Sequence, residues 1–281
     1  MGNLVTLSLN MIPPSANFHP NALIQRLSLM PQLEILGITF SSHFPSGDIE
    51  RQLSRTTLIT THVTLPSLRW FAFLGASAYL EALPPRITIP LLERLQVHFF
   101  NQLTYSIPNL QQLISAAGNP RLNTATLRFT MNYIVVMVYP YKGARMFTLE
   151  MSLAARHLDW QVACMAQVFH TLRTTFSVLE DLTLMYLRRS LSLEWNNEAD
   201  RAQWRELLVS FDKVNTLQVD HELVWKLSHS LQPSEGESPT EQLPELQEIS
   251  YPGTRPLRDA FTLFVDARQI AGHPITVIHP H

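Results

Sequence analysis

Histidine, cysteine and paired carboxylates are the side chains that bind metals and move protons, and this chain places few of them at useful spacing. Its last stretch, "HPITVIHPH", carries His273, His279 and His281. Three imidazoles hold zinc where they converge on one point. Two of these lie in the final three residues, where termini fray, and no carboxylate or thiol is close in sequence. A solvated tail is expected, and no metal site. His221-Glu222 lacks the second histidine of HExxH, which sets two ligands on one helical face. Cys164 is the sole cysteine, so neither an internal disulfide nor a Cys-pair zinc site can form. A catalytic thiolate needs an electropositive, partly exposed setting. Cys164 instead sits one position off the apolar stripe of a helical pattern, where it is expected to fill a gap between helix and sheet.

No GxSxG nucleophile elbow occurs. Among the nine glycines, no two are separated by one residue and none precedes Lys-Ser or Lys-Thr. Dinucleotide and P-loop cradles are excluded, because those turns need glycine where the backbone approaches phosphate. No catalytic residue and no cofactor are expected. "MGNLVT" matches the start of a myristoylation site, but one acyl chain anchors only marginally and no basic patch follows. The match is read as chance, and Leu4, Leu7 and Leu9 as a strand.

Composition narrows the partners. The formal net charge is −2 with no run of Lys or Arg, whereas nucleic-acid binding needs a basic stripe. The longest apolar run, "YIVVMVY" (133–139), is too short to span a bilayer and reads as a buried strand. Neither nucleic acid nor membrane is an expected partner. The single cysteine and the lack of a signal-peptide pattern point to an intracellular, cytoplasmic or nuclear, location.

What must position any site is a repeated phrase. "MPQLEILGITF" (30–40), "LPSLRWFAF" (65–73), "IPLLERLQVHF" (89–99) and "LPELQEISY" (243–251) share an apolar residue, proline, then leucine-like residues three and two apart. Anchors fall at Leu7, Leu36, Phe71, Leu95, Leu127, Leu149, Leu182, Leu217 and Ile249, between 22 and 35 residues apart. The mean of about 30 lies within the range of solenoid repeats. The last two apolar residues of each phrase, two apart, point to one face of a strand. The leucine before them closes the turn that leads in.

Helical spacing fills the intervals. Leu110, Leu113, Ile114 and Ala117 mark 107–118; Val162, Met165, Ala166, Phe169 and Leu172 mark 160–174; Trp204, Leu207, Leu208 and Phe211 mark 197–211. A C-terminal helix near 256–272, with Leu257, Phe261, Phe264 and Val265, is expected to cap the stack. The polar segment "QPSEGESPTEQ" (232–242) reads as a mobile loop within the repeats. The expected fold is α/β: one irregular solenoid over residues 1–281, with parallel strands on the concave face and helices on the convex face.

These phrases, with the ending "LRDAFTLFVDARQIAGHPITVI", resemble the leucine-rich-repeat region of fungal F-box proteins, across about residues 4–278. The resemblance implies a non-catalytic module that binds a target protein, as in the substrate receptors of ubiquitin ligases. It departs from the family in two respects: the asparagine that follows the strand in many leucine-rich repeats stands only at Asn10, and the F-box is missing. "LPPRITIPLLERL" (83–95) opens with Leu-Pro as an F-box does, yet holds a second proline and a repeat strand. No capping helix precedes "MGNLVTLSL", so a preceding segment is expected. A ligase adaptor becomes a partner only if an F-box lies upstream.

If the strands line a concave face, Ile35, Trp70, Ala72, Arg94, Gln96, Thr126, Arg128, Asp181, Thr183, Gln218 and Glu248 point out of it. Trp and Arg dominate interface hot spots, so Trp70, Arg94, Gln96, Arg128, Asp181 and Gln218 are the candidate partner-binding residues. The competing expectation is that Trp70 packs under the 74–84 loop and the arginines are merely solvated. Two alternatives to a receptor stand: a stand-alone or truncated repeat protein without ligase function, and an enzyme on an α/β scaffold.

Overall fold

A computed structural model describes residues 4–13, 19–41, 62–100, 105, 107–117, 122–140, 147–155, 157–187, 198–233, 236–253 and 257–280. Along the chain the strands are β1 (Thr6–Ile12), β2 (Ile35–Phe40), β3 (Val63–Thr64), β4 (Trp70–Gly75), β5 (Ile87–Thr88), β6 (Arg94–Phe99), β7 (Leu122–Phe129), β8 (Tyr133–Pro140), β9 (Thr148–Ala154), β10 (Asp181–Tyr186), β11 (Thr216–Val219), β12 (Glu248–Ser250) and β13 (Thr276–Ile278). The α-helices are α1 (Pro20–Leu27), α2 (Ser77–Glu81), α3 (Leu110–Ala116), α4 (Leu158–Thr171), α5 (Arg173–Phe176), α6 (Glu198–Leu208), α7 (Val224–Leu231) and α8 (Thr262–Ile270).

The repeated phrase is a turn followed by a strand. Leu33 N–H donates to Met30 C=O (3.2 Å), Leu68 to Leu65 (3.3 Å), Leu92 to Ile89 (3.4 Å) and Leu246 to Leu243 (3.0 Å). Pro31, Pro66, Pro90 and Pro244 thus hold the second position of a β-turn, where the ring pre-sets the required φ. Phe176–Leu179 and Phe211–Val214 make the same turn without proline (3.1 and 3.4 Å). The turn-closing apolar residue is buried in all six copies.

One residue further on, a carbonyl receives the next strand. Glu34 C=O accepts from Arg69 and Trp70 N–H (2.9 and 3.0 Å), and Arg69 C=O from Glu93 and Arg94 N–H (2.8 and 2.9 Å). Glu180 C=O accepts from Asn215 and Thr216 N–H in the same way (2.9 and 3.1 Å), and Asn215 C=O from Gln247 and Glu248 N–H (2.8 and 3.0 Å). Each phrase therefore fixes the register of its neighbour through backbone atoms alone.

The chain divides into two compact units, Met1–Arg121 with Tyr139–Ala154, and Leu122–Val138 with Ala155–His281. In the first, β1, β2, β4, β6 and β9 lie in that order, all parallel. Leu7, Leu36, Phe71, Leu95 and Leu149 share one register row. Leu36, Ile38, Phe71, Phe73, Leu95 and Val97 are buried, while the residues between them are partly exposed. The short β3 and β5 pair in a separate ladder. In the second unit the order is β8, β7, β10, β11, β12, β13, with β7 to β13 parallel. Leu182, Leu217 and Ile249 share a row there, extended by Val277. The architecture is mixed α/β, with mostly parallel strands and helices between them.

Three expectations change. Leu127 is not the row partner of Leu182: Ala125 is, and Leu127 pairs with Leu184. Nor do the strands stack in sequence order, because β6 pairs with β9 and β7 with β10. The cause is the short link between β7 and β8, closed by Thr130 N–H on Tyr133 C=O (3.0 Å) and Thr130 Oγ1 on the same carbonyl (2.7 Å). A link that short makes a hairpin; a parallel crossover needs a dozen residues or more. Finally, the tail is not wholly solvated, since β13 pairs in parallel with β12.

The helical readings hold as α3, α4 and α6, and the run at 133–139 is β8, with Ile134, Val136 and Val138 fully buried. In α4 the apolar stripe is buried, and Phe169 meets Phe176 and Phe211 at 4.8 Å each. Cys164 is buried, and burial pushes its thiol up to about 12. A helix does form near the C-terminus as α8, preceded by a 3-10 turn at Leu257–Asp259. Residues 232–242, where described, are fastened. Arg205 donates to Gln232 C=O (2.6 Å), to Ser230 C=O (2.9 Å) and to both carboxylate oxygens of Glu237 (2.6 Å each).

Candidate partner-binding surface

Parallel pairing carries the outward residues of neighbouring strands into rows. In the first unit Ile35, Trp70, Arg94 and Thr148 form one row; Gly37, Ala72, Gln96 and Glu150 form the next; Leu74, His98 and Ser152 form a third. Trp70 and Arg94, far apart in sequence, are therefore direct neighbours. The Arg94 guanidinium carbon lies 5.0 Å from the Trp70 ring centroid, a cation–π arrangement. Its Nη2 is 3.7 Å from Glu150 Oε2. Trp70 Nε1 is buried and has no hydrogen-bond partner among the described residues.

Arg94 keeps half of its side chain exposed (49%), so its ring contact and its ion pair leave guanidinium edges facing solvent. Gln96 stands beside it as a partly exposed amide, in register with Glu150. The third row is tighter: His98 Nδ1 is hydrogen-bonded to Ser152 Oγ. Burial holds the His98 imidazole below its ordinary 6.5, with the Glu150 carboxylate pulling the other way. Neutral at physiological pH, His98 serves as a fixed cross-strand partner.

The second unit presents a different surface. Thr124, Asp181, Thr216, Glu248 and Thr276 form one row, and Thr126, Thr183, Gln218, Ser250 and Ile278 the next. Asp181 accepts a long hydrogen bond from Thr124 Oγ1 (3.4 Å). Gln218 is exposed between Thr183 and Ser250. Arg128 pairs in register with Met185, and its Nε is buried without a partner among the described residues. Of the six candidate residues, Trp70, Arg94 and Gln96 are brought together in the first unit. Asp181 and Gln218 sit in adjoining rows of the second, and Arg128 in a third row of the same unit.

Glu150, His98 and Ser152 escaped the sequence reading. Their signal was present, since each occupies a polar position between buried apolar ones in a strand. Only the pairing of β9 with β6 brings Glu150 to Arg94 and Ser152 to His98.

Of the other candidates, His279 packs within the fold. His279 Nδ1 lies 3.2 Å from Tyr251 C=O, and its ring stands edge-on to Tyr251 at 4.8 Å. His273 is exposed, and His281 and Gly2 lie outside the described residues. His221 and Glu222 approach to 3.9 Å within a 3-10 turn. Among the described residues no group of three or more metal-binding side chains converges, and no helix is long and apolar enough to cross a membrane.

No family model, no curated protein and no solved structure matches the chain.

Proposed function

We propose that this chain is a non-catalytic, intracellular protein-interaction module: an irregular leucine-rich-repeat solenoid whose outward strand face binds a protein target, as in the substrate-recognition part of F-box ubiquitin-ligase receptors. One observation carries the reading. Trp70 and Arg94 are stacked side by side on a parallel sheet face, the Trp70 residue partly exposed and the Arg94 side chain half-exposed with guanidinium donors facing solvent. Aromatic and Arg residues are enriched among interface hot spots because they combine contact area with directional bonds. The recurring Pro-turn and the carbonyl that receives the next strand support the repeat architecture, since each phrase packs and pairs chiefly with its neighbours.

A photo-crosslinking amino acid at Thr148, which neighbours Arg94, tests this in extract from the native source. A control at Arg26, on the exposed side of α1, reports background. A discrete adduct at position 148, lost with Arg94→Glu and absent from position 26, is the expected result. The same adducts from both positions would overturn the reading. The ligase connection has its own test: mapping the 5′ end of the transcript shows whether an F-box is encoded upstream, and without one the adaptor is not a partner.

A further inference from the structure

At the C-terminal ends of β10, β11 and β12, a cavity of about 220 Å³ opens on the outward face of the second unit. Parallel sheets commonly bind ligands beyond the carboxyl ends of their strands. The floor is the row Thr183, Gln218 and Ser250, aligned across three strands. One end carries Asp220, and the walls include Pro252 and Pro280.

The chemistry of this lining is one-sided. Among the described residues that line it, Asp220 is the only charged one. The proline nitrogens bear no hydrogen, so those walls offer carbonyls and apolar ring edges but no amide donor. Asp181 and Glu248, in the adjoining row, add negative charge. The nearest described cation by register is Arg128, paired with Met185 at the β7 side of the cavity. It bounds the site on that side, and the described charged residues named on the β11–β12 side, Asp220 and Glu248, are acidic.

From this we infer that the cavity receives a lysine side chain from the bound protein, its methylene stem along the prolines and its ammonium at Asp220 and the Thr183–Gln218–Ser250 row. The inference rests on the interaction-module reading and names the partner chemistry at a second place on the chain. Lysine is favoured over arginine by the geometry of Asp220. Its Oδ2 already accepts Tyr186 N–H (3.0 Å) and its Oδ1 accepts His221 N–H (2.8 Å). Each oxygen keeps a lone pair, and an ammonium, which donates in any of three directions, can use one without the planar two-bond alignment that a guanidinium fork requires.

The test is an amide NMR titration of the full chain with N-acetyl-lysine methylamide, alongside the norleucine and arginine analogues. Saturable shifts at Gln218, Asp220 and Ser250 are expected with the lysine analogue alone. Gln218→Lys, at an exposed position, places a competing ammonium at the site and weakens binding about ten-fold. Asp220→Asn is the sharper variant but removes an acceptor of backbone bonds, so Gln218→Lys carries the result if it misfolds. Absence of saturable shifts overturns the proposal. So do equal shifts with norleucine, equal shifts with the arginine analogue, or binding unchanged in Gln218→Lys. A negative result here leaves the crosslinking at Thr148, in the other unit, to judge the interaction reading by itself.

Discussion

Arg268 Nη1 donates a hydrogen bond to the backbone carbonyl of Leu243 (3.1 Å), a residue held in the left-handed region at φ 51°. Arg268 is 1% exposed. Its other donors reach Pro244 C=O (3.0 Å), Leu246 C=O (3.2 Å) and His273 C=O (3.4 Å), and its guanidinium lies 5.8 Å from the Phe264 ring centroid. A buried cation with carbonyls as its hydrogen-bond partners is fastening the last Pro-turn to α8.

Replacing that arginine orphans several buried acceptors at once. Arg268→Met is expected to destabilise the protein by about 3 kcal/mol, since bonds from a charged donor each contribute ~1.5–3 kcal/mol and do not add fully. Arg268→Lys should recover only part, because an ammonium cannot span the same set of carbonyls. Urea midpoints of the two variants and the parent protein decide it.

The prolines of the repeated phrase act chiefly on the unfolded chain. Pro31, Pro66, Pro90 and Pro244 are exposed, so each Pro→Ala change should cost about 0.4–1 kcal/mol through added unfolded-state freedom. Pro31→Ala and Pro90→Ala sit in separate turns and should add in the double variant. Thermal melts read both effects, and a loss several times larger would mean that the rings also pack.

Glu81 gives a pH dependence with a definite sign. Its carboxylate oxygens accept Asn109 N–H (2.7 Å) and Leu110 N–H (3.0 Å), joining α2 to the start of α3. Burial raises its pKa from 4.5 to about 7, against the pull of those two backbone bonds. The folded state therefore holds the proton more tightly than the unfolded chain. The stability this contributes is fully present below about pH 4.5 and is lost as pH rises through about 7. Stability of the parent protein relative to Glu81→Gln should fall across that window. A flat difference between urea midpoints measured at pH 4.5 and pH 8 would contradict it.

Glu150 and His98 are coupled by charge. Burial lowers the imidazole pKa and Glu150 opposes the shift, so Glu150→Gln should lower it further. An NMR titration of the His98 ring reads this directly. An unchanged midpoint would place the carboxylate too far away to act.

Much of this protein was legible as a sequence because its local chemistry repeats. Proline at the second turn position, leucines at fixed offsets and helical stripes between them are short-range signals, set by φ preference and by which face must leave water. Leu36, Phe71 and Leu95 were aligned by pattern, and the backbone aligns them too. In the polar segment 232–242, composition registers missing apolar groups but not the guanidinium of Arg205, well upstream, that binds Gln232 C=O and the Glu237 carboxylate.

Order in space was beyond the pattern. Spacing cannot show that the β7–β8 link is too short for a crossover, so the phrases at Leu127 and Leu149 looked like consecutive repeats. Pairing β9 with β6 brings Glu150 and Ser152 to Arg94 and His98. Pairing β10 with β7 sets Leu182 against Ala125. The sequence by itself determined which residues turn, which extend and which are buried, because those follow from local sterics and hydrophobicity. Which strands touch, and hence which polar side chains meet, was decided by the tertiary structure, since backbone hydrogen bonds between strands are the same whatever side chains they carry.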